Sequence, residues 1–378
     1  MNILQVVPFF SPVHGGSSVV PYNLSKELAE RGHDVTLYTS NYKLSWEWVK
    51  SLSKVNVYPF KTRSNLAEFY VTPGIMNHMG EEIKRFDIIH LHNYRTFQNI
   101  IVSRYAKKYN VPYVLQAHGS LPRIAEKHRL KWIYDVFFGY ESLRNSSNVI
   151  ALSQTEAQQY RDMGVPEEKI AVIPNGIDLS EYANLPPKGS FKKKFGIKED
   201  EKIVLYLARI HKIKGIDILA KAFANVIKKL DDVRLVVVGP DDGYLGELES
   251  LVRALKIEDK VLISGALYGR DKLEAYVDAD VYVLPSRYET FPMSVLEAIA
   301  CGTPTILTEN CGIAEYFRDK TGLVVKTDSP SHLQEALLEM LMNREKQKVF
   351  RKNCETVTQK FNISETVSKL EEAYEELL

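Results

Sequence analysis

The sequence predicts an α/β protein made of two doubly wound parallel-sheet domains facing across a cleft. Short β-type apolar runs alternate with segments of helical period along the whole chain. Both halves open with the same unit of strand, loop, helix and strand. Between them lies a stretch rich in proline, glycine and lysine, which puts the linker within residues 182–190.

Composition agrees with this outline and narrows the functions open to the chain. At 378 residues, 45% hydrophobic and 26% charged, it is long enough for two ordinary globular cores. A formal net charge of +1 gives no general attraction to nucleic acid, so any anion site must come from local placement. Three cysteines, Cys301, Cys311 and Cys354, are too few and wrongly spaced for a disulfide framework or a zinc site, which points to a reducing compartment. The N-terminus opens on the strand-like ILQVV without the basic and apolar regions of a signal peptide. No apolar run approaches the roughly 18 residues a membrane span needs. A cytoplasmic protein is expected, with peripheral contact at a membrane surface left open.

In the first half, residues 2–7 read as a buried strand, 8–16 (PFFSPVHGG) as a loop, 17–31 as a helix stopped by Gly32, and 34–38 as the next strand. A dinucleotide site is rejected here: the loop is not GxGxxG, and no acidic residue ends the second strand to hold a ribose. Gly15 and Gly16 still let a ligand come close to the backbone near a helix N-terminus, although a plain flexible loop needs the same residues. Residues 86–92 (FDIIHLH) and 111–116 (VPYVLQ) are further strands. His90 and His92 share one sheet face, but a third metal ligand at suitable spacing is missing, so they read as structural. His118 follows a strand directly and precedes glycine, at the sheet edge where open α/β folds bind ligands. Residues 123–145 mix basic residues with Trp132, Phe137, Phe138 and Tyr140, a composition suited to a membrane surface or a lipid-linked acceptor. The acidic Glu126, Asp135 and Glu141 dilute that charge, so a helix buried on one face and solvated on the other is expected.

The second half restarts the pattern at residues 202–208 (KIVLYLA), followed by Arg209 and Lys214 ahead of a helix. Fixed cations beside a helix N-terminus suit a diphosphate, although a basic loop is more often only solvated. Strands 234–238, 260–264 and 281–284 bring three more carboxyl ends to the same edge. Asp278 and Asp280 resemble a DxD metal motif, but Asp280 directly precedes a buried strand, so both read as structural. The centre of the half is the stretch 281–308. A strand there feeds a loop with Glu289, and a helix from about residue 293 carries Glu297. A helix N-terminus binds anions, and carboxylates beside it accept hydrogen bonds from a diol; a nucleotide sugar carries both groups.

Taken together these motifs resemble the retaining GT-B glycosyltransferases of family 4. The resemblance rests on PFFSPVHGGSS, AHGS at 117–120, VIPNGID at 172–178, ARIHKIKG at 208–215, VVVGP at 236–240, and ETFPMSVLE followed by ACGTPTI. It implies that residues 1–184 form an acceptor-side Rossmann-like domain and 185–360 a nucleotide-sugar-binding one, with a C-terminal helix at 361–378 crossing back to the first. It implies that Arg209 and Lys214 neutralise the donor diphosphate, that Glu297 holds the ribose hydroxyls, and that Glu289 contacts the donor sugar. Amides of Phe291, Pro292, Met293 and Ser294 would face sugar and phosphate, except that proline has no N–H to give. By the same matching, Gly15 and Gly16 approach the phosphates and His118 the transferred sugar. Backbone near Gly239 and from Ile263 to Tyr268 would meet the base, and His92, Tyr94 and the 123–145 segment would lie on the acceptor side.

The activity implied is transfer of a hexosyl group from a UDP- or GDP-linked sugar to a hydroxyl of a glycan or lipid-linked acceptor, with retained configuration and neither cofactor nor metal. A glycosidase using Glu289 and Glu297 as acid and nucleophile leaves the cationic loop unexplained. A sugar-nucleotide epimerase of the same architecture would isomerise donor alone, and a non-catalytic sugar-nucleotide-binding protein would hold donor without turnover.

Overall fold

The computed structural model describes every residue except 67–68 and 124–126. Glu126, counted above among the acids of the 123–145 segment, lies outside the described residues. The chain forms two compact units, one of residues 1–176 with 363–378 and one of residues 177–362. The division therefore falls at Gly176 and Ile177, ahead of the expected 182–190 linker. That proline- and glycine-rich stretch is tied into the second unit instead, where the Asp278 carboxylate accepts from the Gly189 N–H at 2.5 Å and the Lys192 N–H at 2.9 Å.

The first unit carries β1 (Asn2–Val6), β2 (Asp34–Ser40), β3 (Val55–Phe60), an antiparallel ribbon of β4 (Ser64–Leu66) and β5 (Phe69–Val71), then β6 (Ile88–His92), β7 (Tyr113–Gln116), β8 (Asn148–Ala151) and β9 (Ile170–Val172). Seven of these make a parallel sheet in the order β3-β2-β1-β6-β7-β8-β9. The strands are near-continuous apolar runs because helices cover both faces. Gly15, with a φ of 62°, caps the helix Gly16–Glu30, whose Val20, Leu24 and Leu28 are buried. The helix Ile363–Glu375 closes the unit: Arg31 Nη1 lies 2.6 Å from Glu371 Oε2, and Tyr374 Oη lies 2.7 Å from His90 Nδ1.

Residues 128–145 run as one helix, His128–Tyr134 and Tyr140–Asn145 joined by a π turn at Asp135–Gly139. One face is buried and the other exposed, and the exposed face carries large apolar side chains. Tyr134, Asp135, Ser142 and Leu143 face the interior, while Leu130, Trp132, Ile133, Val136 and Phe137 face outward. The physical reason is Asp135. Its buried carboxylate takes the guanidinium groups of Arg95 at 2.8 Å and Arg123 at 2.7 Å, so the ionic side of the helix turns in.

The second unit carries β10 (Lys202–Leu207), β11 (Val233–Val238), β12 (Val261–Gly265), β13 (Val281–Leu284), β14 (Thr305–Thr308) and β15 (Gly322–Val325). All are parallel, in the order β12-β11-β10-β13-β14-β15. The order reverses at β10, between β11 and β13, just as the first sheet reverses at β1, between β2 and β6. Ligands of open α/β sheets bind outside the strand ends at such a reversal. Among the described residues no helix is long and apolar enough to cross a membrane.

Candidate functional site

In the second unit the reversal is built from two loops, residues 208–215 after β10 and 285–292 after β13. They approach closely because of one glycine. Gly215 has a φ of 71°, and a Cβ there would sit 1.9 Å from the Pro285 carbonyl oxygen. Gly239, at the end of β11, meets the Ala208 carbonyl in the same way. Arg287 then staples the loops. Its N–H donates to the Ile213 carbonyl at 2.8 Å, and its guanidinium donates to the Lys212 carbonyl at 2.5 Å and to both Asp217 oxygens at 2.9 Å.

This scaffold brings Lys214 and Glu289 into a direct, mostly buried ion pair. Glu289 is fixed from its backbone as well: its N–H reaches the Asn310 carbonyl at 3.3 Å, and its carbonyl accepts from Gly312 N–H at 2.8 Å. Arg209 is not drawn into that pair. It stands at the rim, half exposed, with Nη1 2.5 Å from Asp242 Oδ2, while its carbonyl accepts from Tyr206 Oη at 2.8 Å.

The helix after the loop, Met293–Ala300, has Pro292 at its N-cap and no side-chain cap. Proline there removes the N–H that a cap residue would otherwise offer, and the Pro292 carbonyl accepts from Val295 N–H at 3.1 Å. Phe291 and Met293 turn their side chains into the core, with Phe291 6.1 Å from the Phe361 ring. Ser294 Oγ lies 2.7 Å from Tyr282 Oη. Glu297 is held by two residues of the helix Gly269–Asp278: Lys272 Nζ at 2.8 Å and Tyr276 Oη at 3.0 Å. Burial depresses the Lys272 ammonium, yet Glu297's charge and hydrogen bond outweigh it and leave the group above its ordinary value. Burial, reinforced by nearby charges that include Glu297 and Glu289, raises Tyr282 strongly. Tyr268 is exposed at the start of the Gly269–Asp278 helix. Asp280 accepts from Ile203 N–H at 2.9 Å, so both acids of the DxD-like pair serve backbone.

In the first unit, His92, His118 and Gln5 form a chain. His92 Nε2 is 2.5 Å from Gln5 Oε1, and His92 Nδ1 is 2.8 Å from His118 Nε2. With Gln5 Oε1 accepting, His92 carries its proton on Nε2, so His118 must donate from Nε2 and keep a lone pair on Nδ1. Burial pushes all three histidines, His90, His92 and His118, well below their ordinary value, which keeps this chain neutral. His92 and Tyr94 are themselves interior, and both support the His118 loop: Tyr94 N–H donates to Ser120 Oγ at 3.0 Å. Beneath the loop lies Glu156, whose oxygens accept from Gly119 N–H at 2.6 Å and Leu152 N–H at 2.8 Å. Burial pushes its carboxyl up to about 7 against those two bonds.

Sequence reasoning missed Arg287, Lys272, Tyr276, Gln5 and Glu156. Only Lys272 and Tyr276, four apart on one helix face, and Glu156, in a Ser153-x-x-Glu156 capping pattern, left any local signal.

With this geometry in hand, comparison with known proteins is direct. Residues 14–181 match the family described as Glycosyltransferase Family 4, and residues 187–357 match Glycosyl transferases group 1. The chain is 28% identical over 379 residues to the N-acetyl-alpha-D-glucosaminyl L-malate synthase of Bacillus anthracis, covering 97% of this chain and 95% of that one. It is likewise 28% identical to an uncharacterized glycosyltransferase of Methanocaldococcus jannaschii, covering 88% and 87%. Its fold is that of Anabaena Alr3699/HepE, solved in complex with UDP: TM-score 0.80 at 18% identity, with both chains covered in full.

Proposed function

Since the chain belongs to the glycosyl transferases group 1, enzymes that move a sugar from a nucleotide sugar, we propose that it transfers a hexosyl group from a UDP- or GDP-linked donor to an acceptor hydroxyl of a glycan or lipid-linked molecule, with retained configuration and without a metal. The observation that carries this reading is the Lys214–Glu289 pair, delivered by two separate strand-end loops to the reversal of the second sheet. The uncapped N-terminus of Met293–Ala300 follows the second of these loops. Lys214, Arg209 and that helix end supply the positive potential that a departing diphosphate needs, and the gain is largest as its charge grows in the transition state. Glu289 orients the Lys214 ammonium and offers its second oxygen to a sugar hydroxyl. Glu297, held by Lys272 and Tyr276, accepts from the ribose diol. In the first unit, the Nδ1 lone pair of His118 offers an acceptor for a sugar hydroxyl. Binding of UDP by Anabaena HepE favours a uridine donor.

A thermal-shift panel of UDP-, GDP- and ADP-sugars, followed by donor hydrolysis, tests this reading. Stabilisation by one nucleotide class is expected. Glu289→Gln should leave that shift within a few degrees while lowering turnover by roughly 100-fold or more, because the interaction lost is one strengthened in the transition state. Glu297→Ala should weaken donor binding itself. Unchanged turnover in Glu289→Gln, or no shift with any sugar nucleotide, would overturn the assignment.

A further inference from the structure

The donor chemistry makes no use of the outward side of the helix 128–145. Five of the fifteen large apolar side chains exposed among the described residues fall on eight consecutive positions there: Leu130, Trp132, Ile133, Val136 and Phe137, each 43–64% exposed. That concentration is a patch rather than scatter. Leu130, Ile133, Val136 and Phe137 are exposed, whereas Tyr134 and Asp135 between them are buried. The inward side is anchored. Tyr134 Oη donates toward the Tyr94 and Thr96 carbonyls, both at 3.1 Å, and Asp135 takes its two arginines. The apolar face is therefore held outward by bonds on the other side.

Charge says what fits it. Lys127, His128 and Arg129 are exposed just ahead of the apolar residues, Lys131 is partly exposed among them, and Arg144 is exposed about two turns beyond Phe137. Among the described residues of 127–140 the single carboxylate, Asp135, is buried and doubly paired; the next acid, Glu141, pairs with Lys107 at 3.1 Å. We propose that this face docks on the surface of an anionic lipid bilayer, with the helix lying in the plane of the interface. Its apolar side chains enter the acyl boundary, and its lysines and arginines meet lipid phosphates. At 1.5 Å per residue, residues 127–137 give a contact about 16 Å long.

Flotation of the full-length protein with vesicles tests this. Binding is expected to vesicles of phosphatidylcholine with phosphatidylglycerol, to weaken steeply at 0.5 M salt by about the loss expected of a screened polybasic contact, and to be absent with phosphatidylcholine alone. The pair Ile133→Gln with Phe137→Gln, and separately Arg129→Glu with Lys131→Glu, should each reduce binding by roughly ten-fold or more. Melting temperature and sugar-nucleotide binding should stay unchanged in both, which separates lost docking from lost folding. The proposal is overturned if the wild-type protein fails to bind anionic vesicles at low salt, or if the variants bind as it does. It is equally overturned if light scattering shows a dimer that Ile133→Gln with Phe137→Gln splits, since a second copy then covers the face. Vesicle binding is read without donor or acceptor, so its failure leaves the transferase reading standing.

Discussion

A histidine buried without a carboxylate stays neutral far below its ordinary range, and His90 and His92 are both in that position. Unfolded, each takes up a proton below a pH of about 6.5. Folded, His90 does so only near 3. The unfolded chain therefore binds more protons over that window, and stability falls with falling pH by about 1.4 kcal/mol per pH unit for each such histidine. Glu156 acts in the opposite sense. Its folded carboxyl holds a proton up to about 7, whereas an unfolded one releases it near 4.3, so its contribution grows as pH falls from 7 and is lost as pH rises. Replacing Glu156 with Gln removes the opposing part. Urea midpoints measured between pH 7 and 5 should then fall more steeply than in the wild type, by about 1.4 kcal/mol per pH unit; parallel slopes would sink the idea. His118 was legible in the sequence because a strand end before a glycine is a local pattern. Its supports were not: Gln5 lies 87 residues from His92 and Glu156 lies 37 from Gly119, and no local period encodes such distances.

At the scale of elements, the site is a matter of two loops held together. Arg287 is the fastener, since its guanidinium bonds Lys212 in one loop and Asp217 in the helix that follows it, while its own backbone belongs to the other loop. Arg287→Ala leaves Asp217, which is 7% exposed, without its partner, for a cost of roughly 1–3 kcal/mol. The larger effect should be on catalysis, because Lys214 and Glu289 lose their common register. A drop in kcat/KM of about 100-fold is expected for a misplacement near 1 Å. Arg287→Lys should recover stability more than rate, since an ammonium cannot reproduce the two-pronged bond to Asp217. Kinetics set beside melting curves separate the two effects; equal recovery of both would remove Arg287 from the positioning role. The spacing of Glu289 and Glu297 was readable because it spans one loop and one helix turn. Arg287 was not, because a loop arginine looks the same whether solvated or stapled to a residue 70 positions away. The 128–145 helix shows the same limit from the other side: periodicity reveals two faces, and only the partners of Asp135 decide which turns in.

At the scale of the molecule, the chain builds the same sheet order twice and then returns to the first unit with its last helix. The doubly wound plan was legible because buried parallel strands and glycine stops repeat along both halves. The point of crossing was not, because a flexible composition at 182–190 says where a chain can bend but not which body holds it. The returning helix is a structural member of the first unit, with Val367, Leu370 and Tyr374 fully buried or nearly so. Leu370→Ala should therefore cost about 2–5 kcal/mol, the ordinary range for a buried leucine. Trp46, Trp48 and Trp132 are the chain's three tryptophans, and all lie in the first unit, so tryptophan fluorescence reports that unit selectively. Leu370→Ala is expected to lower the urea midpoint seen by fluorescence, whereas Leu296→Ala, in the core of the second unit, should shift the far-UV dichroism transition with little change in fluorescence. If both substitutions move the two signals together, the units unfold as one cooperative body and the last helix stabilises the whole chain rather than the first sheet.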